Sequence, residues 1–256
     1  MPMNTPPALD RDLDILEMPL NGLAAYWLSV KKLRDTRKGS KIIQEEIAYA
    51  KEPYIRHLLE ISFSSLPGET VRKLAMVKQR VIMKDIRRKL DLMRIALSAI
   101  SDAENPRVTL IKMITLFPAP PVNERETMDL AVTMLDKVKR KEVDEKIFGN
   151  IDHTIKSEQL ILRLLYYALL ARREGKAALR PMIPHVRSLF FAEGLALLTD
   201  NFEDAFIKRR LAIHQREILA DTFQKMDMAM EMCLGIKNKL SYDDVFKIAK
   251  AYMLEA

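Results

Sequence analysis

From Glu69 to Ile100 the chain carries Ile82, Ile86, Leu90, Met93, Leu97 and Ile100, apolar residues three or four positions apart, with no glycine or proline in the whole stretch. That spacing predicts one amphipathic helix of about 30 residues and about 45 Å. Isolated helices are marginal in water, so a helix this long needs partners along its length, and those partners must come from the rest of the chain. The rest of the chain can supply them. Of 256 residues only 7 are Gly, while Leu, Met, Lys, Arg, Glu and Ala abound, so helix formers dominate and the turn residues of a many-stranded protein are scarce. The expected fold class is all-α, and the 48% hydrophobic content is enough for one large core or two of about 100 residues.

Other helices are delimited by their breakers. A Pro-containing lead-in (1–19) precedes apolar residues at helical spacing from Leu20 through Leu23, Trp27, Val30 and Leu33 to a basic stop at Arg34 to Gly39, read as a helix closed by a glycine cap. A second helix begins after Gly39 and a third runs from Tyr54 to about Phe63. Pro67 and Gly68 then break the chain before the long helix. Asn105-Pro106 opens a short helix, and Phe117-Pro118-Ala119-Pro120-Pro121 is a rigid linker. Helices are expected at about 124–141, 143–149 and 155–174. Beyond Gly175 come a helix containing Ala177, Leu179 and Ile183, another from Leu189 to Leu198, and a second long helix from about Glu203 to Ile236.

The order of elements is thus stated twice. Sliding the chain by 136 positions pairs Gly39 with Gly175, Ile47 with Ile183, Leu59 with Leu195, Gln79-Arg80 with Gln215-Arg216, Lys89 with Lys225, Asp91 with Asp227 and Ile100 with Ile236, without a gap. Conservative pairs include Tyr54 with Phe190, Lys73 with Arg209 and Val77 with Ile213. The reading is therefore two similar helical units, 20–116 and 124–256, joined by a linker at 117–123, each with short helices followed by a long one.

The second unit contains Ala171-Arg-Arg-Glu-Gly-Lys-Ala-Ala-Leu179, then Ser188-Leu-Phe-Phe-Ala-Glu-Gly-Leu-Ala-Leu-Leu-Thr-Asp200, then Ala205-Phe-Ile-Lys-Arg-Arg-Leu211. These runs resemble the cytoplasmic segment of the MotA flagellar stator family (MotA/TolQ/ExbB-like). Thr36-Arg-Lys-Gly39, Glu52-Pro-Tyr-Ile-Arg56 and Glu69-Thr-Val-Arg-Lys-Leu74 resemble the same segment in the first unit. The resemblance covers about half the chain. It implies a flagellar, motility-related protein that meets a rotor, stator or export component through charged helix faces, in the cytoplasm or peripheral to the inner membrane at the flagellar base. The family's membrane-spanning helices have no match: the most apolar run, Leu160 to Ala171, is broken by Arg163 and is about half the roughly 20 residues a bilayer demands. No ion path is therefore implied. Arg172 matches the family's basic rotor-facing position, whereas the acidic one falls at Arg180 in the second unit and at Gln44, beside Glu45 and Glu46, in the first.

No catalytic, cofactor or metal motif is read, and no small-molecule substrate is evident. The acidic lead-in (Asp10, Asp12, Asp14) is unlike a secretion signal. The lone Cys233 fits a reducing compartment. His57, His153, His185 and His214 lack ligand spacing, and isolated glycines build no phosphate-cradling loop. Met226, Met228, Met230 and Met232 alternate between faces, implying that some are core and others line an adaptable surface. The expectation is a non-enzymatic scaffold or adaptor, with Arg37, Lys38, Glu45, Glu46, Arg172, Arg173, Glu174, Arg180, Lys208, Arg209 and Arg210 as partner-binding residues and a homo-oligomer as one possible assembly. The net charge of +7 and pI near 9.3 support an alternative, a basic α-helical module for nucleic acid or an anionic membrane surface. An aromatic content of 7% offers little for stacking bases.

Overall fold

The computed structural model describes residues 13–36 and 39–253, which are helical throughout with no strand among them. In chain order they form α1 (Leu20–Arg34), α2 (Gly39–Tyr49), α3 (Pro53–Ser62), α4 (Gly68–Ser101), α5 (Pro106–Ile114), α6 (Glu124–Lys139), α7 (Glu145–Phe148) and α8 (Ser157–Glu174). A 3-10 segment (Lys176–His185) follows, then α9 (Leu189–Thr199), α10 (Asp204–Lys237) and α11 (Tyr242–Ala251). Among the described residues no helix is long and apolar enough to cross a membrane.

Three local expectations change. Gly39 opens α2 and does not close α1, which stops at Arg34 with Asp35 as its cap. The stretch around Ala177, Leu179 and Ile183 is a 3-10 segment, because Pro181 and Pro184 lie inside it and each lacks the N–H that an α-helix uses. Met226, Met228, Met230 and Met232 are all buried, so the whole cluster is core. The second half of α10 is enclosed on nearly every side, which removes the distinction between faces on which a contact surface would depend. Most of the lead-in, residues 1–12, lies outside the described residues.

The chain packs as two compact units. Unit 1 takes the residues up to Met83 together with those from Ile218 onward, and unit 2 takes Lys84–Glu217. The Pro-rich 117–123 segment falls inside unit 2.

In unit 1, α11 packs on α1 and α2 on both α1 and α3. Trp27, Tyr54, Ile55, Leu58 and Leu59 are wholly buried, the three aliphatic side chains each contributing roughly 1.5–3 kcal/mol by leaving water. The first half of α4 lies antiparallel to the second half of α10. Arg72 donates to Glu231 (Nη2 to Oε2, 2.9 Å) and Gln79 Nε2 to the Phe223 carbonyl at 3.4 Å. Cys233 Sγ sits 3.5 Å from the Leu58 carbonyl, and burial pushes its thiol up to about 12. Buried Lys225 is held by Asp221, 2.6 Å away, and donates to the Leu16 carbonyl at 3.0 Å.

In unit 2, α8 is the central element, with α5, α6 and the 3-10 segment packed on it and α9 on the 3-10 segment. Tyr166, Tyr167 and Phe191 meet edge to face, and the Tyr167 hydroxyl donates to the Gly149 carbonyl at 2.6 Å. Gly194 is required where it stands, since a Cβ there would come within 2.3 Å of Leu97 Cδ1. The second half of α4 lies antiparallel to the first half of α10, with Gln215 Nε2 donating to Asp91 at 2.8 Å and Ser101 hydrogen-bonded to Asp204. Lys89 pairs with Asp85 at 2.8 Å and donates to the His153 carbonyl at 2.8 Å.

Bounds, caps and stops recur at an offset of 136. The 34-residue helices α4 and α10 match end to end, and α3, α5 and the start of α2 fall on α9, α11 and Gly175. The N-cap side chain of Glu52 accepts from Ile55 N–H as that of Ser188 accepts from Phe191 N–H, and Asn105 caps α5 as Ser241 caps α11. Two residues beyond each long helix stands one with positive φ, Ala103 (50°) and Lys239 (59°), a stop that α6 and α9 share through Lys141 (60°) and Asn201 (59°). The closing bonds match as well: Glu104 N–H donates to the Ala99 carbonyl and Leu240 N–H to the Gly235 carbonyl.

Candidate partner-binding surface

The C-terminal turn of α8 carries Arg172 and Arg173, favoured there by the helix dipole. Beside it lies the start of α5, where Asn105 caps the helix, Pro106 occupies the first position and Arg107 the second. Together with Met128 of α6 and Leu169 of α8 these residues line a groove of about 460 Å³. Its cations are Arg107, Arg172 and Arg173, and no carboxylate lines it. A neighbouring hollow of about 490 Å³ shares Arg107 and Met128 and adds Asn123, Glu124, Arg125 and Asp129.

Each arginine of the groove is tethered by a single donor group. Arg107 Nε lies 2.6 Å from Glu124, Arg172 Nη1 3.3 Å from the Glu104 carbonyl, and Arg173 Nη1 2.8 Å from Asp136. A guanidinium has five N–H donors in a planar fork, so a tethered arginine keeps its remaining donors for a carboxylate or phosphate. The groove therefore combines an apolar floor with oriented cation donors and the positive end of α5. Such a lining suits an acidic segment that also carries an apolar side chain.

The remaining residues expected from sequence lie elsewhere. Glu174 pairs with Lys139 at 2.6 Å. Arg180 donates to the Thr199 carbonyl at 3.0 Å and to Asp200. Lys208 grips Asp102 at 2.7 and 2.8 Å, and that bond raises the lysine pKa. Arg210 spans Glu193 at 2.9 Å and Glu217 at 3.3 Å. Arg209 is exposed and, among the described residues, makes no hydrogen bond or ion pair. Glu45 is exposed, Glu46 accepts from the Tyr26 hydroxyl at 2.9 Å, and Arg37 and Lys38 lie outside the described residues. Of the expected set only Arg172 and Arg173 line the groove; Arg180, Lys208 and Arg210 line neither hollow.

Arg107 is the residue the sequence reading missed. Its signal is a basic side chain in the first turn of a helix, where the dipole favours an acid, and α5 has no acidic residue in that turn. Comparison of the chain with protein-family models, with curated proteins and with solved structures gave no match.

Proposed function

We propose that this chain is a non-enzymatic helical adaptor built from two copies of one MotA-like motif, and that it binds an acidic protein partner through the Arg107, Arg172 and Arg173 groove. The observation that carries the two-copy reading is the recurrence of helix bounds and N-caps at one offset of 136 positions, where amphipathicity alone would match the periodicity and not the caps. The resemblance of Ala171 to Leu211 to the stator segment points to a rotor, stator or export component of the flagellum as partner. That places the protein in the cytoplasm or at the inner face of the membrane near the flagellar base.

Binding of the full chain to purified rotor, stator and export components tests this. Binding that falls about tenfold or more on R172E/R173E, and weakens as salt rises toward the range where exposed charges are screened within about 10 Å, is the expected result. No binding to any of them, with motility unchanged by deletion, overturns the reading.

A further inference from the structure

Resting on the two-copy reading, each position that kept its chemistry along α4 and α10 can be asked what it does inside the fold. Most have an internal partner. Arg72 and Lys208 reach Glu231 and Asp102. Gln79 and Gln215 are buried and donate to the Phe223 carbonyl and to Asp91. Asp85 and Asp221 hold the half-buried Lys89 and the buried Lys225. Three matched pairs lack such a partner: Lys73 with Arg209, Val77 with Ile213, and Arg80 with Arg216.

All six residues are exposed, with Val77 56% and Ile213 39% accessible. Among the described residues their polar atoms reach no other element. Lys73 meets only Glu69 of its own helix, in a pair open to solvent, and Arg216 only the Ala212 carbonyl one turn back. An open i, i+4 pair between two solvated side chains contributes little. Neighbouring positions differ between the two helices: Leu74 is matched at the offset by Arg210, Met76 by Ala212 and Val81 by Glu217. Packing explains neither the retained cations nor an apolar residue retained in water between them.

At spacing i, i+4, i+7 each triad lies on one stripe of its helix, a β-branched residue flanked by a cation one turn to either side. We propose that Lys73-Val77-Arg80 and Arg209-Ile213-Arg216 are two copies of one docking strip for an acidic amphipathic helix of a partner protein. The partner's apolar side chain covers Val77 or Ile213, and its carboxylates one turn away on each side meet the cations. A nucleic acid has no use for an apolar residue at the centre of a phosphate contact. A bilayer surface rewards a broad apolar face, and on α10 Ile213 stands among Arg209, Arg210, Ala212, Arg216 and Glu217, which form none.

The test uses the full chain and a synthetic helical peptide carrying Glu, Leu and Glu at i, i+4 and i+7, with a scrambled peptide of equal charge as its comparison. Val77→Asp and Ile213→Asp alter surface residues, and helicity and Tm report that each variant is folded. Each single variant is expected to lose half the binding capacity, and V77D/I213D to lose affinity by about tenfold or more. The charge variant R80E/R216E lowers affinity in the same way, and the scrambled peptide binds about tenfold more weakly. The proposal is overturned if V77D/I213D binds the peptide unchanged, or if the loss is confined to one strip. Equal binding of the scrambled peptide, heparin or phosphatidylglycerol vesicles overturns it in favour of a general polyanion surface. A wild-type dimer that V77D/I213D converts to monomer makes a second copy of this chain the occupant and overturns it too. A chain that binds the peptide at both strips yet binds no flagellar component refutes the flagellar assignment and leaves the strips standing.

Discussion

Unit 1 and unit 2 make opposite choices of side-chain size at two positions related by the offset of 136. In unit 1 the large residue of one buried pair is Leu58 on α3 and the small one is Cys233 on α10. In unit 2 the small residue is Gly194 on α9 and the large one is Leu97 on α4, which fills the space a side chain at Gly194 would need. Position 194 is 58 shifted by 136, and 233 is 97 shifted likewise. Interiors are packed near crystal density, so one partner can grow only where the other shrinks.

The sharpest way to break this comparison is at the pair itself. Leu58→Ala should cost about 2–5 kcal/mol in denaturant unfolding. Gly194→Leu should cost about 1–3 kcal/mol by overpacking, and adding Leu97→Cys, which recreates the unit 1 arrangement, should recover much of that loss. Additive effects of G194L and L97C would show that the two sites do not share one space. Cys233 offers a local reporter: with its thiol held protonated and buried, alkylation at pH 8 should follow the opening of unit 1 and be accelerated by L58A, not by G194L.

A smaller effect is expected at buried Lys225 and half-buried Lys89. Lys225→Met and Lys89→Met each strand a carbonyl, Leu16 in unit 1 and His153 in unit 2, and should cost about 1–3 kcal/mol apiece. A large cost at one and none at the other, by thermal or chemical unfolding, would count against the two-copy reading at this point.

The smallest effect should come from cutting the chain. Each unit draws on residues from both sides of the Pro-rich 117–123 segment. A protease site placed there should give two fragments that co-elute and keep nearly all the helical signal, whereas fragments that separate would show the halves to be self-sufficient.

Much of the fold is legible from residues alone. The long helices were set by uninterrupted 3–4 spacing, and their observed bounds, Gly68–Ser101 and Asp204–Lys237, differ from the expected ends by one residue. The segment Lys176–His185 was misread because its apolar spacing suits an α-helix, while Pro181 and Pro184 forbid one. The division into units was illegible for a different reason. Periodicity marks which face of a helix is buried and not which element covers it, so nothing in the sequence separates Met83 from Lys84 within one continuous helix. At the candidate surface, Arg172 and Arg173 were found through the family resemblance, yet Arg107 joins them only when α5 packs on α8. Arg180, Lys208 and Arg210 looked equally available in sequence, and each is held by an acid that only the tertiary fold brings near.

The interleaved make-up of unit 1 also sets a timetable for its assembly. Trp27, Tyr54 and Leu58 emerge from the ribosome early, but the α10 and α11 residues that complete their surroundings lie beyond position 218. At about 5–20 residues per second, synthesis of the intervening stretch takes roughly 10–30 s. For that interval the apolar side chains of the first three helices wait for the elements that cover them, and unit 2, contiguous in sequence, is the part that can fold first.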